Sequence, residues 1–328
     1  MESFKSKLKF LFLFVILIVG CKRDDEETVK PEIIKVAALL SKTGEWSSLG
    51  ITSEAALQLG IEKMNKDFEA RDLPYRFKLS VFDTQLIPSI ALEKMEYLAA
   101  HDFRVVIGPQ SSSEMAVVKE IADSLGILVV SQGSTASSLA LANDALFRYV
   151  PGDQIEAAAM ANTMLSAGKQ AIVTLARNDV GNLGLQDALT SNFTNLGGSV
   201  VSAGTYDAME TDFTTVLNEV RNQVTLLSAT YNNAQIGVYL ASFDEAVALF
   251  NQASGDPVLT GVNWYGGDGF IKNQALLVDA SAAQFAMQTN FFSPEFGLPS
   301  SSQSVWSPLL SSIFNRCGQE ADAFALSA

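Results

Sequence analysis

The sequence predicts an α/β protein of two Rossmann-like lobes, each built on a parallel central sheet and joined by a hinge. Three observations predict it. Short runs rich in β-branched residues alternate with stretches whose apolar residues recur at helical spacing. This rhythm runs in two series, separated by the punctuation Pro151-Gly152. The strand segments are largely apolar and are joined by helical crossovers, the pattern of a buried parallel sheet.

The first series opens with a strand over Ile33–Leu40, bounded by turn residues, and a helix over Ser53–Phe68 that places Ala56, Leu59, Gly60 and Met64 on one face. Strands follow over Phe77–Phe82, Val105–Gly108 and Leu128–Ser131, with helices over Ser89–Ala100 and Glu114–Leu125 between them. The second series predicts helices over Ala157–Ala167, Leu185–Leu196, Asp212–Val224 and Glu245–Ala253. Its strands fall at Ala171–Ala176, Ser199–Gly204, Ile236–Leu240 and Val262–Tyr265, with a short helix near Asn273–Asp279. The expected division is a first lobe over residues 33–150, a second over 151–290, and a return segment over 291–328.

The start of the chain reads as an export signal. Lys5, Lys7 and Lys9 precede an uninterrupted apolar run, Phe10–Gly20, which is too short for a bilayer span of about 20 residues but suits a signal-peptide core. Residues 1–20 are therefore expected to be removed. Ile18-Val19-Gly20 before Cys21 resembles the bacterial lipobox, in which the cysteine thiol carries a lipid; two or more acyl chains anchor stably where one does not. Residues 21–32 are a polar tether containing Asp24-Asp25-Glu26-Glu27. That acidic run reads either as a plain charged spacer or as something similar to the surface-export signal of Bacteroidota lipoproteins. The expected location is the cell envelope: periplasm, outer membrane or cell surface.

Composition removes several classes. The formal charge of -14 opposes the basic face that nucleic acid demands. With Cys21 acylated, Cys317 is the remaining cysteine, so no intrachain disulfide is expected. His101 is the single histidine and lies at a predicted helix end, which supports neither a metal site nor a catalytic triad. No cofactor is expected. An enzyme reading is further disfavoured by the absence of a Gly-x-Ser-x-Gly elbow.

Open α/β sheets bind ligands at the carboxyl ends of their strands, and three loops there carry polar groups. Gly108–Glu114 brings Ser111 and Ser112 to a helix start, where hydroxyls and free N–H groups either cap the helix or bind an anion. Ser131–Thr135 carries Ser134 and Thr135, with Gly133 permitting close backbone approach to a ligand. Trp264–Gly269 exposes Asp268 on a glycine turn, where it is either a turn residue or an acceptor for an ammonium group. No lysine-bearing phosphate loop is present.

Ile34–Ser41 with Gly44 and Gly50, Ile107–Ser112, Gly126–Leu128, Phe147-Arg148, Asn178–Gly181 and Gly267–Gly269 together resemble the type I periplasmic solute-binding family. The similarity is to the leucine/isoleucine/valine-binding proteins of ABC importers and spans nearly everything from residue 33. It implies a two-lobed receptor closing on an amino acid. It also implies that Ser112 binds the α-carboxylate, that Gly133 and Thr135 touch carboxylate and ammonium, and that Asp268 neutralises the ammonium. Departures affect specificity. The family's aromatic wall falls on Leu49, with Trp46 three residues upstream; Val180 stands where relatives carry tyrosine; and a further aromatic aligns near Ser242 or Phe243. Relatives also continue past the helix expected to begin at Glu320–Ala328, so truncation is expected. The resulting expectation is a monomeric, lipid-anchored solute receptor that binds a small molecule, most simply an amino acid, for an ABC permease. The alternative is a sensory receptor that signals to a membrane partner by the same closure.

Overall fold

A computed structural model describes residues 30–328. The first series forms a five-stranded parallel sheet of order β2-β1-β3-β4-β5, made of β1 (Glu32–Leu40), β2 (Tyr75–Asp83), β3 (Val105–Ile107), β4 (Leu128–Ser131) and β5 (Leu146–Arg148). Register places Val36 between Leu79 and Val105. The second sheet is also parallel, of order β7-β6-β8-β9, from β6 (Ala171–Arg177), β7 (Ser199–Tyr206), β8 (Ile236–Ala241) and β9 (Asn263–Gly266). The α/β fold with two parallel-sheet lobes is the one the strand–helix rhythm predicts. The signal, the cysteine anchor and the acidic run Asp24–Glu27 lie outside the described residues, and the tether expected to reach residue 32 ends sooner, because Glu32 already pairs with Tyr75 in β1.

Helices cover both faces of each sheet, which explains the mostly apolar central strands. In the second lobe, Val173 and Leu175 of β6 face α6 (Thr214–Leu227) and α7 (Ala246–Ala253), meeting Leu217, Val220, Leu249 and Phe250. Ile172 and Ala176 point the other way, onto Met160 of α4 (Asp153–Ser166) and Leu185 and Leu189 of α5 (Val180–Asn195). The two-residue strand period sends successive side chains into separate cores, and β6 and β8 are buried along their whole length. The first lobe repeats the scheme. Ala37 and Leu39 pack on Met95 of α2 (Pro88–Ala100) and Met115 of α3 (Ser112–Leu125), while Ala38 and Leu40 meet Leu57 of α1 (Ser47–Ala70).

Helix starts differ from the periodicity. α1, α4 and α5 begin earlier than expected, because Gly50, Gly181, Gly184 and polar residues fill their first turns and blur the apolar pattern. These turns are held by caps and packing; Asp179, for instance, accepts from the Asn182 N–H at 3.0 Å. Strand β5 was not predicted: at three residues it is too short to show a period.

After α8 (Gln274–Val278) and α9 (Ala280–Gln288), the chain forms α10 (Gln303–Cys317) and α11 (Ala323–Ser327). The expected helix over Glu320–Ala328 is shorter because Asp322 caps it, accepting from Ala325 N–H at 2.8 Å. Ile313, Phe324 and Ala325 pack with Leu49 and Ala55 of α1, and Arg316 makes a two-pronged ion pair with Glu62 at 2.7 and 2.8 Å. Among the described residues, no helix is long and apolar enough to cross a membrane.

Candidate functional site: the cleft between the lobes

The carboxyl ends of β1, β3 and β4 face those of β6, β8 and β9 across a cleft, and side chains join the two sides. Ser113 Oγ accepts from the Val180 N–H at 3.0 Å, Asp244 Oδ2 accepts from the Ser47 N–H at 3.2 Å, and the Trp46 ring lies 4.7 Å from that of Phe243. Trp46 adopts φ 59°, in the left-handed region, directly before α1. A β-carbon-bearing aromatic residue is costly there, so the surrounding contacts hold it in place. Together Trp46 and Phe243 supply an aromatic wall from positions other than Leu49.

Between the lobes is an inner cavity of about 10 Å³, enough for roughly one water. The first lobe lines it with Trp46, Ser111, Ser112, Gly133 and Thr135, and the second with Gly181, Asn182, Leu185, Phe243 and Asp268. Six of the residues singled out in the sequence thus meet here: Trp46, Ser111, Ser112, Gly133, Thr135 and Asp268. The other two lie elsewhere. Ser134 is fully buried behind the wall, its hydroxyl 3.0 Å from Ser112 Oγ. Val180 lines an outer chamber of about 760 Å³ that shares Ser111 and Phe243 with the inner cavity.

The two loop serines have different local tasks. Ser111 caps α3: its hydroxyl accepts from the Glu114 N–H at 3.3 Å, and Glu114 accepts from the Ser111 N–H at 3.1 Å. Ser112 Oγ instead reaches across to the neighbouring loop, accepting from the Ala136 N–H at 3.2 Å. Capping therefore accounts for Ser111, whereas Ser112 is held at the edge of the cavity by the Ala136 N–H and the Ser134 hydroxyl. At Gly133 a side chain would meet Gln110 O at 2.7 Å and the Trp46 ring at 3.1 Å, so only glycine lets Trp46 settle against this loop.

Asp268 corrects the expectation of an exposed turn. It begins a single 3₁₀ turn, Asp268–Phe270, and is only 8% exposed. Phe270 anchors this turn in the second-lobe core, and a side chain at Gly267 would lie 2.6 Å from Leu185, so the glycine allows the loop to sink. Its N–H donates to Glu156 Oε1 at 3.1 Å. Burial and the nearby Asp153 charge push the Asp268 carboxyl up to about 6, and burial together with Asp268 pushes Glu156 well above the usual carboxylate range. Both shifts point upward, as expected if one proton is shared between the two acids. Without that proton, Asp268 Oδ2 has no donor among the described residues.

A second charged group borders the outer chamber. Arg177, at the end of β6, pairs with Asp179 at 3.1 Å and Glu245 at 3.2 Å and sits 5.2 Å from the centre of the Phe243 ring. Tyr206 donates to Glu245 at 2.7 Å. Glu45 comes from the opposite lobe and faces Glu245 and Asp244; burial and these two acids push it up to about 7. Arg177, Glu245, Glu45 and Glu156 were not singled out from the sequence. The one available signal was Arg177, a charge ending an otherwise apolar strand. His101, as expected, ends a helix on the surface, stacked on Tyr97 at 3.9 Å. Among the described residues no cluster of His, Cys, Asp and Glu has the arrangement to hold a metal ion.

Two parallel α/β lobes with their strand ends turned toward a shared cleft define the type I periplasmic binding-protein fold. The chain belongs to the family described as the receptor family ligand binding region, whose model matches residues 52–303. An uncharacterized protein of Methanocaldococcus jannaschii is 26% identical over 293 residues, covering 85% of this chain and 69% of that one. Among solved structures, the branched-chain amino acid transporter substrate-binding protein LivJ of Streptococcus pneumoniae, in complex with isoleucine, is similar with a TM-score of 0.70. It is 18% identical, and the match covers 90% of this chain and 80% of that one. A solute-binding protein of an ABC transporter from R. palustris, in complex with benzoate, gives the same TM-score and identity over 90% and 77%.

Proposed function

We propose that this protein is an extracytoplasmic receptor that closes its lobes on the head group of an amino acid and delivers it to an ABC importer. One observation carries the reading: hydroxyls of the first lobe, Ser112 and Thr135, share an inner cavity with a buried carboxylate of the second, Asp268. Hydroxyls and backbone N–H groups at the start of α3 suit a carboxylate, and Asp268 suits an ammonium. A zwitterion held this way bridges the lobes and stabilises the shut state through its higher affinity for it. A cavity of about 10 Å³ is far below the 300–1,000 Å³ of typical ligand sites, so the lobes part to admit a ligand. The isoleucine complex of LivJ supports an amino acid, and the benzoate complex shows that a neighbour of equal structural similarity takes a simple carboxylate.

The Cys21 lipid anchor belongs to the same proposal, since a tethered receptor remains near its permease. A sensory role is the second reading, and it draws on the family's description as a receptor region. A thermal-shift screen of amino acids and aromatic carboxylates tests the first reading. A ligand at 100 times its Kd adds about 2.7 kcal/mol. Stabilisation by benzoate-type acids with none by any amino acid would overturn it.

A further inference from the structure

We propose that Asp244 of the second lobe caps helix α1 of the first, and that this cap and the Trp46–Phe243 ring pair form a clasp holding the lobes in a shut form that excludes the ligand. The inference concerns how the cleft is closed. It goes beyond the amino-acid reading and does not use the ligand's identity.

Helix α1 has no cap from its own lobe. The first turn of a helix leaves backbone N–H groups without partners, and the residue before it normally supplies a side-chain oxygen to one of them. Here that residue is Trp46, whose indole can donate but not accept; it makes no capping bond, and the first turn contains no acidic residue. Asp244 meets the need from across the cleft. Its Oδ2 accepts from the Ser47 N–H at 3.2 Å and brings negative charge to the positive end of a 24-residue helix. Its Oδ1 accepts from the side-chain amide of Asn273, and Asn273 Oδ1 accepts from the Leu276 N–H at 2.9 Å, at the start of α8. The carboxylate is thus aimed by its own lobe and engaged by the other.

Phe243, the preceding residue, makes the second contact. Its ring lies 4.7 Å from that of Trp46 and packs over Gly269, where a side chain would meet it at 2.6 Å. Both rings line the inner cavity. With the rings together that cavity is about 10 Å³, room for roughly one water and not for an amino acid. The clasped form therefore excludes a ligand, and entry requires the Ser47–Asp244 bond and the ring pair to separate. One feature opposes the clasp. The indole N–H of Trp46, a residue 2% exposed, has no acceptor among the described residues and would regain water as the lobes part. A shut form balanced in this way is tipped by the loss of a single contact.

Small-angle scattering and acrylamide quenching on the purified protein, without added ligand, test the clasp. Trp306→Phe removes the partly exposed indole, and Trp264 is fully buried, so quenching then reads Trp46. The parent should be compact and its Trp46 shielded. Asp244→Ala should lower the shut-to-open ratio by about two- to thirtyfold, the effect of losing a helix cap. The radius of gyration should grow and Trp46 should become quenchable, with far-UV circular dichroism unchanged. Asp244→Asn keeps the shape of aspartate and serves if the alanine variant fails to fold. Its single acceptor oxygen cannot serve Ser47 and Asn273 together, so it should open the cleft in the same direction but by less. Folded variants as compact and as shielded as the parent would overturn the clasp, and so would a parent whose Trp46 is already freely quenched. Either result would leave the amino-acid reading standing.

Discussion

Replacing Asp268 by asparagine should strengthen the fold and weaken the receptor. In the unfolded chain the carboxyl titrates near 3.8, and in the buried site near 6. Below pH 3.8 both states hold the proton and the site carries no penalty. As the pH rises through 6, the folded protein must ionise Asp268 against burial and the Asp153 charge, and stability is lost over that window. A difference of about two pKa units at 1.36 kcal/mol each corresponds to about 3 kcal/mol. Asparagine has nearly the same shape, carries no charge and can donate to Glu156. Urea denaturation should therefore show Asp268→Asn more stable than the parent by about 1–3 kcal/mol at pH 8, with the gain vanishing near pH 4. Calorimetry should show the opposite for binding. Leaving a ligand ammonium without its buried partner costs on the order of 2–5 kcal/mol, at least a thirtyfold loss of affinity. A variant less stable than the parent at pH 8 would refute the electrostatic argument, and one that keeps its amino-acid affinity would refute the ammonium role.

Ser112→Ala and Thr135→Ala should each weaken amino-acid binding roughly ten- to a hundredfold, the effect of losing a hydrogen bond to a charged group; affinities unchanged in both would reduce these loops to structural roles. Ser112→Ala should also lower stability by about 1 kcal/mol, because its hydroxyl accepts from the Ala136 N–H. Cys21→Ser should release the protein from washed membranes, and retention in the membrane fraction would remove the lipid anchor.

Much of the fold was legible because its signals are local. Strands buried on both faces must be nearly all apolar, and Ala171–Ala176 and Ile236–Leu240 are, Thr174 excepted, whose hydroxyl accepts from Gln186. Loop chemistry at strand ends likewise singled out Ser112, Gly133, Thr135 and Asp268 before their shared cavity was known. The signal failed where stability comes from elsewhere. The first turns of α1, α4 and α5 rest on caps and neighbours, and α10 buries only Ile313 fully, too little for a clear apolar stripe.

What the sequence by itself determined was therefore the strand–helix order, the parallel sheets and the polar loops at one end of each. Tertiary structure alone decided how those loops behave. Nothing near Asp268 in the chain reveals that Glu156 and Asp153 lie beside it and turn a surface-type glycine turn into a buried acid. Nothing near Trp46 reveals that Phe243 completes its aromatic wall, and nothing near Glu45 reveals that Glu245 confronts it from the other lobe. Burial and charge depend on which atoms lie within a few ångströms, and here those atoms come from chain segments brought together only when the two lobes meet.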